Sequence, residues 1–212
     1  MITVFALKHP PTFAHGLTRD LRVRWALEEA GLPYQARLID PETQASAEYR
    51  AHQPFGQIPV FEEDGLVLFE SGAIVLHISR QSDALLPADP KAKARATTWV
   101  LASLNSVEPA IVQLIGIDAL NAGQEWARLR RPDVIRVIER RLAELATWLG
   151  ERDYLEDRFT AGDLLMTTVL RMLRHTDLVK AVPALHAYQA RCEARPAFQR
   201  ALSAQMAAIA QG

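Results

Sequence analysis

The run Gln53-Pro54-Phe55-Gly56-Gln57-Ile58-Pro59-Val60 constrains the fold more than any other part of the chain. It places a proline directly after a β-branched residue, where a strand should begin. Proline has no N–H to give a sheet ladder, so Pro59 belongs at a strand start, an edge or a turn. An Ile58–Pro59 bond there can also be cis, which turns the backbone groups of Ile58 outward. Further on, Glu70-Ser71-Gly72 puts a carboxylate and a hydroxyl where the apolar run Leu66 to Phe69 hands over to a helix. The N-terminus of a helix offers unpaired N–H groups and the positive end of its dipole, so it suits an anion. Together the two runs suit a small peptide-like ligand, held by backbone on one side and by a helix start on the other.

The chain changes character near residue 80. Before it, short apolar runs alternate with helical patterns. Ile2 to Leu7 reads as a strand, Leu21 to Ala30 as a helix stopped by Gly31, and Tyr34 to Ile39 as a second strand. Thr43 to Arg50 reads as one weak polar helix. Ile58 to Phe61 and Leu66 to Phe69 flank Asp64-Gly65, a hairpin turn signal, and Ser71 to Ser79 is the closing helix. A β-α-β unit followed by a hairpin and a helix gives a small α/β layer with mixed strand directions.

Residues 81 to 90, with two prolines and two aspartates, read as a linker, and everything after them reads as helix. A long apolar-faced helix runs from Pro90 to about Leu120, and Pro109 should kink it near Asn105 and Ser106. Pro132 suits a first helical position, so the next helix is expected from Pro132 to Gly150. Phe159-Thr160-Ala161-Gly162-Asp163-Leu164 is a capping box, with aspartate in the Glu/Gln role, opening a helix apolar on most sides. Residues 184 to 208 give one or two helices broken at Pro196.

Ile58-Pro59, Glu70-Ser71 and the Thr160 box, in this order of elements, resemble the glutathione S-transferase family over nearly the whole chain. The resemblance implies an α/β thioredoxin-like N-terminal domain over residues 1–80, a linker over 81–90 and an all-α helical bundle over 91–212. It also implies the activity: a thiolate of glutathione, the co-substrate, attacking a small apolar electrophile in detoxification chemistry. A homodimer is expected on the same ground. Two other readings stay open. One is a non-catalytic binding or carrier protein of the same shape. The other is a glutathione-dependent isomerase, dehalogenase or peroxidase.

Residue by residue, the resemblance implies that Ile58, before Pro59, offers backbone N–H and C=O to the cysteinyl group of glutathione. A purely structural edge proline would look the same in the sequence. Glu70 would take the γ-glutamyl ammonium and Ser71 its α-carboxylate; a plain helix cap with a first-turn acid is the rival reading. Gln57 would reach the glycine carboxylate or a backbone group, with help from His52. Family members activate the thiol with Tyr, Ser or Cys after the first strand, and no such residue precedes Tyr34 here. Anchored on Arg22-Val23-Arg24-Trp25-Ala26-Leu27, Thr18 falls where serine often sits and Arg19 matches the basic residue that follows it. Thr18 also reads as an ordinary N-cap. Asn105, Glu108 and Trp126 lie where the family walls its electrophile pocket, and each also reads as helix packing.

Net charge is −1 over 212 residues, so no global field recruits nucleic acid or a membrane surface. The arginines of 128 to 141 are interleaved with Glu125, Asp133, Glu139 and Glu144, as on a solvated helix face. The one cysteine, Cys192, forms no internal disulfide and fits a reducing compartment. The six histidines lack metal-ligand spacing, so no metal is expected. The N-terminus carries no signal-peptide pattern, and no stretch is expected to span a bilayer. A cytoplasmic location follows as the expectation.

Overall fold

The computed structural model describes residues 1–211. In chain order the elements are β1 (Ile2–Leu7), α1 (Asp20–Ala30), β2 (Tyr34–Ile39), α2 (Pro41–Ala45), α3 (Ala47–His52), β3 (Phe61–Glu63), β4 (Leu66–Leu68) and α4 (Ser71–Ser79). They continue as α5 (Pro90–Ala102), α6 (Glu108–Ile115), α7 (Glu125–Leu149), α8 (Ala161–Arg171), α9 (Pro183–Glu193) and α10 (Pro196–Gln211). Two compact units form: Met1–Ala88 with the chain from Ala194 onward, and Asp89–Glu193.

In the first unit the sheet order is β2-β1-β3-β4. β1 runs parallel to β2 from Ile2↔Tyr34 to Leu7↔Ile39, the pairing a right-handed β-α-β crossover produces. β3 lies antiparallel to both β1 and β4. The β3–β4 turn takes positive φ at Asp64 (46°) and Gly65 (86°), the two-residue turn whose twist matches the strands it joins. β3 begins at Phe61, later than the expected Ile58, because Pro59 has no N–H for the ladder; Val60 still accepts the Phe5 N–H at 2.9 Å.

α1 is stopped by Gly31 at φ 68°, as its sequence predicts. Every residue from Asp20 to Leu27 is buried, arginines included. α10 lies along α1, with Trp25 and Phe198 edge to face at 4.8 Å. Its buried stripe is Ala197, Phe198, Ala201 and Gln205. Arg195 holds Glu29 through two bonds of 2.6 and 2.7 Å. Residues 194 onward therefore group by contacts with the α/β layer, whereas the sequence suggested one helical body from 91 to 212.

The single polar helix expected over Thr43 to Arg50 is two helices. Asp40 caps α2 by accepting from the Thr43 N–H, and Ser46 breaks the run and caps α3 by accepting from the Tyr49 N–H.

In the second unit, α5 and α8 pack closely. A Cβ added at Gly162 would lie 2.5 Å from the Trp99 Cβ, so only glycine permits that approach. The Thr160 box closes as expected: Gly162 N–H donates to Thr160 Oγ1 at 3.2 Å and Thr160 N–H donates to Asp163 Oδ2 at 2.9 Å. The kink expected at Asn105 and Ser106 is a π-helical segment, Ser103–Val107, directly before α6. Pro109 supplies no N–H to the Asn105 carbonyl, which is why the α-ladder loosens there. A second π-helical segment, Gly116–Leu120, follows α6.

Two expectations fail in this unit. α7 starts at Glu125 rather than at Pro132, which sits inside the helix. By length and composition, Pro90–Leu120 contains an 18-residue stretch apolar enough to cross a membrane, although no stretch was expected to be.

Candidate functional site

The site candidates of the first unit cluster at the end of the β3–β4 hairpin and at the N-termini of α1 and α4. The hairpin pairs Phe61 with Leu68. The two runs that stand apart in the sequence thus flank one paired hairpin, Ile58-Pro59 shortly before β3 and Glu70-Ser71 shortly after β4.

The Ile58–Pro59 bond is cis. Ile58 packs against a core of Phe5, Ile39, Tyr49 and Val60. The loop before it is pinned from α2 and α3. Gln44 donates to the Gly56 carbonyl at 2.6 Å, and the Tyr49 hydroxyl donates to the Gln57 carbonyl at 2.6 Å. Burial pushes the Tyr49 phenol up to about 12, so it stays a donor. Gln57 keeps its carbonyl in that bond while its residue remains exposed. His52 is half-buried, with Nδ1 3.2 Å from Glu62 Oε1 and its ring edge-on to Phe5.

Glu70 is exposed and takes φ 67°, ψ 111°. A positive φ on a side chain of this size is disfavoured, and such conformations concentrate at functional sites. Glu70 holds the cap position of α4, where its carbonyl accepts the Ile74 N–H at 3.0 Å while its side chain caps nothing. The rival reading makes Ser71 the cap and Glu70 its acid, whereas Glu70 holds the cap position here and Ser71 follows it as the first helical residue. Ser71 is the first residue of α4 and 5% exposed. Arg22, one of the buried arginines of α1, donates from Nη1 to Ser71 Oγ at 3.1 Å. With its oxygen occupied as an acceptor, the Ser71 hydroxyl has its own proton to give. A buried guanidinium and a helix N-terminus then both favour an anion at this position.

Thr18 and Arg19 precede α1, both half-buried. Arg19, not Thr18, holds the cap position, with helical torsions and no capping side chain. The Thr18 hydroxyl is bonded from elsewhere: Gln205 Nε2, on α10, donates to Thr18 Oγ1 at 2.9 Å, with the Thr18 carbonyl 3.3 Å away. The same nitrogen donates to Asp20 Oδ1 at 2.9 Å, and Arg24 Nε donates to Asp20 Oδ2 at 2.8 Å.

Arg22, Asp20, Arg24 and Gln205 were not singled out from the sequence. Their signal was polar residues inside apolar helical stripes. Such residues are buried only when paired.

In the second unit, Asn105 is exposed on the first π-helical segment, and Glu108 is buried at the start of α6. Trp126 stands in the first turn of α7, 54% exposed. α6 and α7 pack on each other, so the three candidates lie on neighbouring elements. Cys192 is fully buried on α9.

Comparison with known proteins adds to this geometry. The profile of the "Glutathione S-transferase, N-terminal domain" matches residues 12–80. A glutathione S-transferase of Hyoscyamus muticus is 31% identical over 165 residues, which span 70% of this chain and 75% of that one. The maleylacetoacetate isomerase of Rhizobium meliloti (strain 1021) is 31% identical over 192 residues, 85% of this chain and 89% of that one. Among solved structures, a glutathione transferase from Burkholderia graminis, with two glutathione molecules bound per subunit, superposes with a TM-score of 0.83. It is 25% identical, and the match covers 95% of this chain and 87% of that one. Likeness in sequence along most of both chains, and not in fold alone, makes this chain a member of the glutathione S-transferase family.

Proposed function

We propose that this chain is a glutathione-using transferase that joins the glutathione sulfur to a small apolar electrophile. Glutathione would lie along the unit containing the sheet, with residues 1–80 as its binding domain, 81–90 as linker and 91 onward as helices. Ile58, before the cis Pro59, offers its backbone to the cysteinyl group. Glu70 takes the ammonium, and Ser71 takes the α-carboxylate through its hydroxyl and the N–H groups of α4. Gln57, whose side chain is not needed to hold its own loop, takes the glycine carboxylate, with His52 beside it. The observation that carries this reading is the Arg22–Ser71 bond: it puts a buried positive charge behind the one hydroxyl assigned to an anion.

The chemistry is thiol activation. A free thiol near pKa 8.5 is only a few per cent ionised at neutral pH, and lowering that value by about two units takes ~2.7 kcal/mol of preferential thiolate stabilisation. The Thr18 hydroxyl, Arg19 and the N-terminus of α1 supply it together. The thiolate then forms the S–C bond, and either the leaving group departs with its bonding electrons or, for an enone, the π electrons shift onto the carbonyl oxygen and a proton from water completes the adduct. Asn105, Glu108 and Trp126 are assigned to the electrophile pocket. A homodimer working in detoxification in the cytoplasm completes the proposal.

A glutathione-dependent isomerisation is the second reading, favoured by the 31% identity to a maleylacetoacetate isomerase over 85% of this chain. Product analysis separates them. Incubation with glutathione and an aryl halide, an enone or a cis-dienone should yield a stable thioether if the chain is a transferase. Recovery of an isomerised dienone with no net glutathione consumption would establish the second reading. Saturable glutathione binding without turnover of any of the three would overturn both in favour of a carrier.

A further inference from the structure

We propose that Gln205, on the last helix, is a positioning residue that fixes the Thr18 hydroxyl as a donor toward the glutathione sulfur. The inference rests on the proposed role of Thr18. The argument is a count of protons. Gln205 Nε2 carries two hydrogens and no usable lone pair. It faces three acceptors: Asp20 Oδ1 at 2.9 Å, Thr18 Oγ1 at 2.9 Å and the Thr18 carbonyl at 3.3 Å. Asp20 is bound on its other oxygen by Arg24, so it can only accept, and a backbone carbonyl can only accept.

These partners fix the amide the right way round, nitrogen inward. The two short contacts take the two hydrogens, so the Thr18 oxygen accepts from Gln205, and because that nitrogen has no lone pair to offer, the Thr18 hydrogen points elsewhere. The fold keeps this orientation although Gln205 Oε1, buried in a residue 2% exposed, has no hydrogen-bond partner among the described residues. Turned the other way, the amide would set its oxygen against the Asp20 carboxylate and the Thr18 carbonyl, so the stranded Oε1 is the smaller cost.

The outcome is a chain of donors running from Arg24 to Asp20 and from Gln205 to both Asp20 and Thr18, anchored by a buried ion pair. A hydroxyl left to itself divides its time between donating and accepting. Here one choice is removed, so no reorientation is needed when the sulfur ionises. That offers a physical use for a threonine at a position where rotation about its side-chain bonds is already restricted.

The test is the ultraviolet thiolate absorbance of bound glutathione across pH, with glutathione affinity measured alongside at a pH where the thiol is protonated. Gln205→Leu should raise the thiolate midpoint by about half to one pH unit, a loss of ~3- to 10-fold in thiolate at fixed pH below it. Affinity for the protonated thiol should change less than twofold, by the same argument that the bond acts on the ionised form. In a Thr18→Val background, Gln205→Leu should add no further shift. Gln205→Met, unbranched and close in length, gives the same readings if the leucine variant does not fold.

An unshifted midpoint in both Gln205 variants, with Thr18→Val shifted, overturns the inference and leaves the proposed function standing. Additive shifts in the double variant overturn it as well, since Gln205 would then act by another route. No thiolate signal in the unaltered protein, or no shift in Thr18→Val, removes the role of Thr18 on which it rests.

Discussion

Replacing Ser71 with alanine tests the anion site most sharply, because the two readings of that residue predict opposite patterns. If Ser71 binds the γ-glutamyl carboxylate, its loss removes a hydrogen bond to a charged group, ~1.5–3 kcal/mol, so glutathione should bind about 10- to 100-fold more weakly. The effect on stability should be small. Ser71 lies at the first helical position of α4 rather than at its cap, and alanine is the better helix former by a few tenths of a kcal/mol. Against that stands the acceptor Arg22 loses, for a net cost of ~1 kcal/mol. Calorimetric titration with glutathione and urea unfolding measure the two quantities. A truncated ligand closes the cycle. 4-Aminobutanoyl-cysteinylglycine keeps the ammonium and lacks the α-carboxylate, so the penalty of Ser71→Ala should vanish with it. Unchanged glutathione affinity, with the ~1 kcal/mol stability loss as the sole effect, would refute the reasoning and leave Ser71 as a structural acceptor for Arg22.

Three further expectations follow from the second unit. Gly162→Ala sets a Cβ 2.5 Å from that of Trp99, and the overpacking should cost about 1–3 kcal/mol, read as a lowered Tm. Asp163 accepts from the Leu155 N–H and the Tyr188 hydroxyl on one oxygen and from Thr160 N–H and hydroxyl on the other. Asp163→Asn turns one acceptor into a donor facing donors, at a cost of about 2–3 kcal/mol in urea unfolding. The third concerns pH. Arg131 grips Asp118 with two bonds of 2.7 and 3.0 Å and holds its carboxyl below the usual range, with His175 adding to the effect. A carboxylate with a depressed folded pKa stabilises the fold above its unfolded value, about 3.9, and that contribution is lost as pH falls through the folded value. Arg131→Met should therefore be less stable than the unaltered chain near neutrality, and the gap should close as pH falls below about 4. A gap constant over that range would show that the pair contributes nothing that titrates.

The parts of the fold legible in the sequence are those with local signals. β1, β2, α4 and the stop of α1 at Gly31 follow from periodicity and one left-handed glycine, and the Thr160 box is complete within four residues. Where two local rules compete, the sequence misleads. Pro132 satisfies the preference for a first helical position, yet Glu125 to Arg131 extend α7 ahead of it because Ala127 buries an apolar side chain there. Ser46 reads as one polar residue in a polar helix until its hydroxyl is seen capping α3.

The candidate site divides in the same way. Pro59, Glu70 and Ser71 stand out because proline and helix starts carry backbone meaning. Arg22 and Gln205 do not, since their significance depends on partners on other elements, Ser71 on α4 and Thr18 ahead of α1. The positive φ of Glu70 has no signature in composition at all.

The most direct test of the central claim is a titration of glutathione with this protein, followed by thiolate absorbance as pH is raised. A saturable signal whose midpoint lies well below that of the free thiol, about 8.5 for an unperturbed cysteine, is the predicted result. A saturated complex whose sulfur ionises at the same pH as free glutathione would contradict it.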